Sequence, residues 1–271
     1  MPAAVELVRE RKELRLVLVG APEIIEPLLR THRADAESRI EVQPASEIVG
    51  MNEAPREALR RKKDSSMRRA IDMVKEGRAQ ACVSAGNTGA LMATAHFVLK
   101  SIPGIDRPAI MSAIPAIGGH THMLDLGANA SCTPAQLCQF GVMGSVVAAD
   151  LNALERPRVG LLNIGEEDIK GHALVQEAHR LLAATTLDYV GFVEGDDIFT
   201  GEVDVVVTDG FTGNVALKTM EGLARMIGSA TREEFSRGPH ARSWRLRLGR
   251  RYARSGHGSI RVATMGPAWW D

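Results

Sequence analysis

Short apolar, β-branched runs alternate along this chain with longer segments of helical spacing. Leu14–Val19 (LRLVLV), Gln80–Ser84, Ala109–Ala113, His122–Leu126, Val159–Asn163 and Val203–Thr208 (VDVVVT) predict strands. Between and after them, Glu23–His32, Asp64–Gly77, Thr88–Lys100, Thr133–Leu151, Gly171–Ala184 and Asn214–Ala230 predict helices. Two helix starts carry chemical signals: Ser65 and Ser66 at the head of one, with Gly77 just past its end, and a Thr133-Pro134 cap and first-turn pair on another. Strands that alternate with helices form βα units, which build a mostly parallel sheet covered on both faces. Strands buried on both faces read as near-continuous apolar runs, as RLVLV and VDVVV do. No internal repeat is visible.

Charge and composition narrow the function. Lys plus Arg is 33 and Asp plus Glu is 33, so the net charge is zero and a wholesale nucleic-acid polyelectrolyte is excluded. Aromatic residues make up only 4%, too few for a base-stacking platform, so no nucleic-acid partner is expected. Hydrophobic residues, at 45%, are enough for a sizeable core. Cys82, Cys132 and Cys138 are an odd set without metal-ligand spacing, expected as small buried hydrophobes in a reducing cytoplasm. There is no apolar run of membrane-spanning length, and the charged, amphipathic start (MPAAVELVRERKELR) is not a signal peptide. Beyond about Phe235 the βα alternation stops. Residues 236–270 hold eight Arg and no Asp or Glu, and all three Trp lie beyond that point. The chain is therefore read as one α/β domain, 1–235, and a basic, irregular tail, 236–271.

The candidate chemistry sits where strands run into small, Gly-rich, polar corners and then helices. The corners are Ser84-Ala85-Gly86-Asn87-Thr88-Gly89, Asp125-Leu126-Gly127-Ala128-Asn129, Asn163 through Gly171, and Asp209-Gly210-Phe211-Thr212-Gly213-Asn214. In a doubly wound sheet they fall at the carboxyl edge of the strands, where ligands bind. Glycines admit an anion close to the backbone, and helix N-termini present N–H groups to it. None matches GxGxxG or GxxxxGK[ST], which disfavours dinucleotide and P-loop sites. Lys170 is the one cation inside these corners. His120 and His122 are read as surface residues of a hairpin, or as two ligands on one strand face. Arg56, Arg60, Arg61, Lys62, Lys63, Arg68 and Arg69 are either a solvated helix face or a dock for an acidic partner.

VSAGNTGALMA (83–93), LDLGAN (124–129), LLNIGEEDIKG (161–171) and TDGFTGNVALKTMEG (208–222), with KKDSSM (62–67) and VKEGRAQACVSAG (74–86), closely resemble the bacterial phosphate acyltransferase (PlsX) family of phospholipid synthesis. The resemblance covers roughly residues 2–235. It implies a three-layer αβα sandwich like that of phosphotransacetylase and isopropylmalate-dehydrogenase-like enzymes. It implies transfer of a fatty acyl group from acyl carrier protein to inorganic phosphate, without a cofactor or metal. It also implies a homodimer in the cytoplasm, at the inner face of the membrane. On that reading Ser84, Gly86, Asn87, Thr88, Gly89, Asp125, Asn129, Asn163, Gly165 and Thr212 bind substrate or phosphate. Lys170 neutralises phosphate or the oxyanion, Asn214 donates an amide hydrogen bond, and Asp209 orients Lys170 or a phosphate proton.

The ends depart from that family. Its opening strand with an Asp-x-Met-Gly-Gly-Asp loop has no counterpart here, read either as a true truncation or as a start codon called too late, so the sheet is expected to lack a strand and the site one Gly/Asp loop. Its Asn-Pro-x-x-Tyr-Asn-Gly-Ala segment is also absent, but Ile260–Asp271 back-translated and read one base earlier can spell it. A frameshift near Arg250–Ser255 is therefore expected, with sequence out of frame from about 255. Residues 239–253, with Trp244, Leu246, Leu248 and Tyr252 among arginines, are expected to touch the membrane. The alternatives are an oxidoreductase on a related fold, an inactive truncated product, or a non-catalytic carrier- or membrane-binding remnant.

Overall fold

A computed structural model describes residues 1–35 and 37–237. The expected membrane segment 239–253 and the stretch expected to be out of frame from about 255 lie outside the described residues, as does all but the start of the 236–271 tail. The described chain divides into two compact units, one ending at Pro103 and one beginning at Gly104.

The first unit contains helix α1 (Pro2–Glu10), strand β1 (Leu16–Gly20), α2 (Pro22–Thr31), β2 (Ile40–Pro44), α3 (Pro55–Arg61), α4 (Ser66–Lys75) and α5 (Thr88–Leu99). Strands β1 and β2 pair in parallel from Leu16 opposite Ile40 to Gly20 opposite Pro44. Val5, Leu29 and Ala34 close one side of this pair against Leu18 and Val42. A second cluster, Ala58, Met67, Ile71, Ala90 and Val98, joins α3, α4 and α5. The α4 prediction is met in detail: Ser65 caps it by accepting from the Arg68 N–H, and Gly77 follows at φ +73°, a turn that a side chain would strain. The strand predicted at Gln80–Ser84 is not formed. That segment has no ladder partner among the described residues and Val83 is 89% exposed, and an apolar run without a neighbouring backbone does not become a strand.

The second unit contains β3 (Met111–Ala116), β4 (Gly119–Leu124), α6 (Pro134–Asn152), β5 (Arg158–Leu162), α7 (Ala173–Ala183), β6 (Asp188–Val193), a short 3-10 turn (Asp197–Phe199), β7 (Val205–Val207) and α8 (Gly210–Arg237). The sheet order is β3-β4-β7-β5-β6. All neighbours are parallel except β3, which forms an antiparallel hairpin with β4. Alternation along the strands sorts side chains to two faces. Leu124, Val205 and Val207 pack with Leu137 and Phe140 of α6 and Ala178 and Leu182 of α7. Met123 and Val206 face the other way, with Ala216, Leu217 and Met220 of α8 packed against their cluster. The result is helix, sheet, helix: three layers. Val205, Val206 and Val207 are fully buried, each stabilising the fold by roughly 1.5–3 kcal/mol. Helix α6 lies close because Gly144 lets it; a Cβ there would sit 2.5 Å from Val205 Cγ1. The predicted Thr133 cap is a full capping box with Gln136.

The His120–His122 expectation needs correcting. His120 is exposed, but His122 is 3% exposed, with Nε2 3.1 Å from Asn152 Nδ2. Strand β4 is covered by α6, which removes His122 from the surface; burial holds its pKa below the ordinary histidine value. Among the described residues no group of three or more His, Cys, Asp or Glu could hold a metal ion. No described helix is long and apolar enough to cross a membrane.

Candidate active site

Strands β4, β7 and β5 are adjacent and parallel, so their carboxyl ends bring three of the four corners to one sheet edge. The corners after β4 and β7 interlock. The Gly210 N–H donates to the Asn129 carbonyl at 2.9 Å. A Cβ on Gly213 would collide with the Asp125 carbonyl oxygen, and one on Gly127 would meet Asn214 at 3.4 Å. Glycine at 213 is thus a condition for two backbones to touch.

Asp125 is the centre of this pair. Its fully buried carboxylate accepts from the N–H groups of Ile110 (2.9 Å), Gly127 (3.3 Å), Ala128 (3.0 Å) and Asn129 (2.7 Å), and from Asn129 Nδ2 (2.9 Å). Asn129 Nδ2 also donates to the Pro108 carbonyl at 2.8 Å. The amides that a Gly-rich corner could offer an outside anion here already hold an internal one. Asp125 and Asn129 set the shape of the edge.

Asp209 is engaged as well. It caps α8, its Oδ1 accepting from the Thr212 N–H at 2.9 Å and its Oδ2 from the Thr212 hydroxyl at 2.8 Å. Asn214, one turn into α8, is exposed.

The corner after β5 is looser. Asn163 Nδ2 donates to the carbonyls of Gly165 (3.1 Å) and Lys170 (3.3 Å), which folds the loop back on itself. Gly171 turns at φ +82° where a Cβ would strike the Asn163 side chain. Lys170 is 45% exposed at its side chain, and among the described residues its ammonium pairs only with Glu167, at 4.0 Å. Ile164 and Ile169 are 78% and 83% exposed.

One cation was not legible as part of this edge. Because β3 runs antiparallel, Met111 lies opposite Leu124, and the residues just before β3 fall at the carboxyl end of β4. Arg107 is there, exposed and without an ion pair among the described residues. Its charge reaches Cys132: burial raises that thiol's pKa, the Asp125 and Asp209 charges add to the rise, and Arg107 opposes it. Arg107 flanks the interlocked corners from the β3 side, and the Lys170 loop from the β5 side. A strand-then-corner pattern cannot find a residue that precedes an antiparallel strand.

The fourth corner belongs to the first unit. Ser84 Oγ accepts from the Gly86 N–H at 3.2 Å. Asn87 caps α5 by accepting from the Ala90 N–H at 3.0 Å, and its amide donates to the carbonyls of Gly50, Met51 and Glu53 at 3.2, 3.0 and 2.8 Å. A Cβ on Gly89 would sit 3.0 Å from Pro55 Cγ, and Thr88 is exposed. Asn87 is therefore committed to bracing the 50–53 loop.

Helices on both faces of a mostly parallel sheet, with polar corners at its carboxyl edge, define a phosphotransacetylase-like α/β fold. The EutD phosphotransacetylase of Staphylococcus aureus shares it at TM-score 0.59 and 16% identity, over 82% of this chain and 78% of that one. The chain belongs to the family described as fatty acid synthesis protein, which it matches over residues 2–248. Its relatives include the phosphate acyltransferase of Methylococcus capsulatus, 57% identical over 236 residues (87% of this chain, 70% of the relative). Another is the phosphate acyltransferase of Alcanivorax borkumensis, 55% identical over 249 residues (92% and 72%).

Proposed function

We propose that this chain transfers a fatty acyl group to inorganic phosphate, giving an acyl phosphate for phospholipid synthesis. Membership of a family whose relatives are phosphate acyltransferases supports the reaction. The observation that carries the site is the pair of lightly partnered cations, Arg107 and Lys170, on either side of a rigid, glycine-tightened edge.

The reaction asks little of acid–base chemistry. A phosphate oxygen attacks the thioester carbonyl carbon, and the carbonyl oxygen becomes an oxyanion. Collapse breaks the C–S bond and releases a thiolate, which takes its proton from solvent. The protein must hold an anion beside an electrophile and stabilise negative charge as it develops. Lys170 and Arg107 supply positive charge, and Asn214 is an exposed hydrogen-bonding side chain in the first turns of α8. Asp209 keeps the α8 start in place through Thr212. The donor in this reading is acyl carrier protein. The acting form is a homodimer in the cytoplasm at the inner membrane face, with no cofactor.

The test is hydroxylamine trapping of acyl phosphate from palmitoyl carrier protein and phosphate. Phosphate-dependent hydroxamate formation is expected. Palmitate release that ignores phosphate, or no turnover with any thioester, overturns the proposal.

A further inference from the structure

The basic run of the first unit separates into two groups. Arg61 pairs with Glu57 at 3.0 Å, Lys62 with Glu53 at 2.7 Å, Arg68 with Asp72 at 2.9 Å and Arg69 with Asp64 at 2.6 Å. Lys62 also donates to the Ile48 carbonyl, and its hydrogen bond holds the Glu53 carboxyl below its ordinary pKa. Arg56, Arg60 and Lys63 are exposed and have no ion pair among the described residues. Arg56 and Arg60 are one helical turn apart on α3, and Lys63 follows its end. Ile48 and Met51, in the loop before α3, are 70% and 66% exposed.

The same loop is fastened to the Gly-rich corner of this unit. Asn87 holds the carbonyls of Gly50, Met51 and Glu53 from one side, and Lys62 holds Ile48 and Glu53 from the other. Exposed apolar side chains on a doubly clamped loop that leads into a helix bearing cations without a carboxylate partner among the described residues form a preorganised surface for a negatively charged protein with an apolar contact of its own.

We infer that Ile48, Met51, Arg56, Arg60 and Lys63 dock the small acidic protein that carries the acyl thioester. The clamp by Asn87 then sets that carrier in fixed relation to the 84–89 corner. This rests on the acyl-transfer reading above. Charge complementarity selects an acidic partner, and the exposed apolar pair on the loop that leads into α3 favours a protein over a simple counter-ion. An anionic lipid surface is the competing occupant, and the experiment separates the two.

The full chain and the variant Arg56→Glu/Arg60→Glu/Lys63→Glu are compared for binding of fluorescently labelled palmitoyl carrier protein across a salt series. Binding of vesicles of phosphatidylglycerol and turnover of carrier-free palmitoyl-pantetheine are measured alongside. Docking predicts carrier binding weakened by about tenfold or more and a flatter salt dependence, with palmitoyl-pantetheine turnover unchanged. Thermal unfolding verifies the fold; if the triple variant does not fold, Arg60→Glu and Lys63→Glu singly show the same direction. Unchanged carrier affinity in folded variants overturns the inference. So does loss of vesicle binding with carrier binding intact. A wild type that binds carrier through the patch yet forms no acyl phosphate leaves the dock standing and removes the acyl-transfer reading instead.

Discussion

The corners after β4 and β7 differ from the corner after β5 in what their polar groups do. In the first pair, a fully buried Asp125 carboxylate gathers five hydrogen bonds, Asp209 caps a helix, and a glycine lets two backbones touch. In the second, the loop folds on one asparagine, two isoleucines face solvent, and a lysine has, among the described residues, a single carboxylate at 4.0 Å. Similar Gly-Asn-Asp composition thus serves two ends. Saturated polar groups fix shape, and on the proposed reading the lightly partnered ones serve the substrate.

This contrast can be broken most forcefully at Asp125. Asp125→Ala leaves several buried N–H groups without an acceptor. A loss of roughly 3–4 kcal/mol in unfolding free energy is expected by urea denaturation. A loss under 1 kcal/mol would show that the carboxylate is not the corner's keystone. Asn87→Ala, which removes a helix cap and three carbonyl contacts in the first unit, is expected to cost about 2 kcal/mol in the same assay. Arg107→Ala sharpens the other side. It is expected to raise the KM for phosphate about tenfold, with stability within about 0.5 kcal/mol of wild type; an unchanged KM removes Arg107 from the site.

The smallest effect lies away from the edge, where Arg158 and Asp204 join the starts of β5 and β7. Burial alone would raise the Asp204 pKa, but hydrogen bonds from Arg158 Nε and its backbone N–H outweigh that and lower it. The folded-state value lies below the unfolded one, so the pair's contribution is intact above about pH 4 and lost as pH falls through the folded-state value. The pair is partly open to solvent, so screening keeps the contribution near about 1 kcal/mol. Asp204→Asn is expected to flatten that acid limb in unfolding curves taken from pH 5 downward. An unaltered limb contradicts the assignment.

Much of the fold could be read from the pattern. Capped helices such as α4 and α6 were found because Ser65, Thr133 and Gly77 carry local chemistry that tertiary packing does not change. β2 and β6 escaped: Ile40–Pro44 is short and half-buried, and Gly191 interrupts Asp188–Val193. Gln80–Ser84 failed for the opposite reason, since apolar composition does not supply a partner strand. The corners themselves were visible as Gly-Asn-Asp clusters at strand ends. Which of their side chains are free was not, because the answer depends on distant carbonyls and amides. Asn87 reaches back to residues 50–53, and Asp125 reaches across to Ile110. Arg107 was hidden by the direction of one strand.

The central claim is that the loosely held lysine serves the reaction while the saturated corners serve the fold. Acyl phosphate yield and thermal unfolding measured on the same Lys170→Ala sample test it. Turnover is expected to fall on the order of a hundredfold, with a melting temperature within about 2 °C of wild type. Full turnover, or a fall in turnover matched by a large loss of stability, contradicts it.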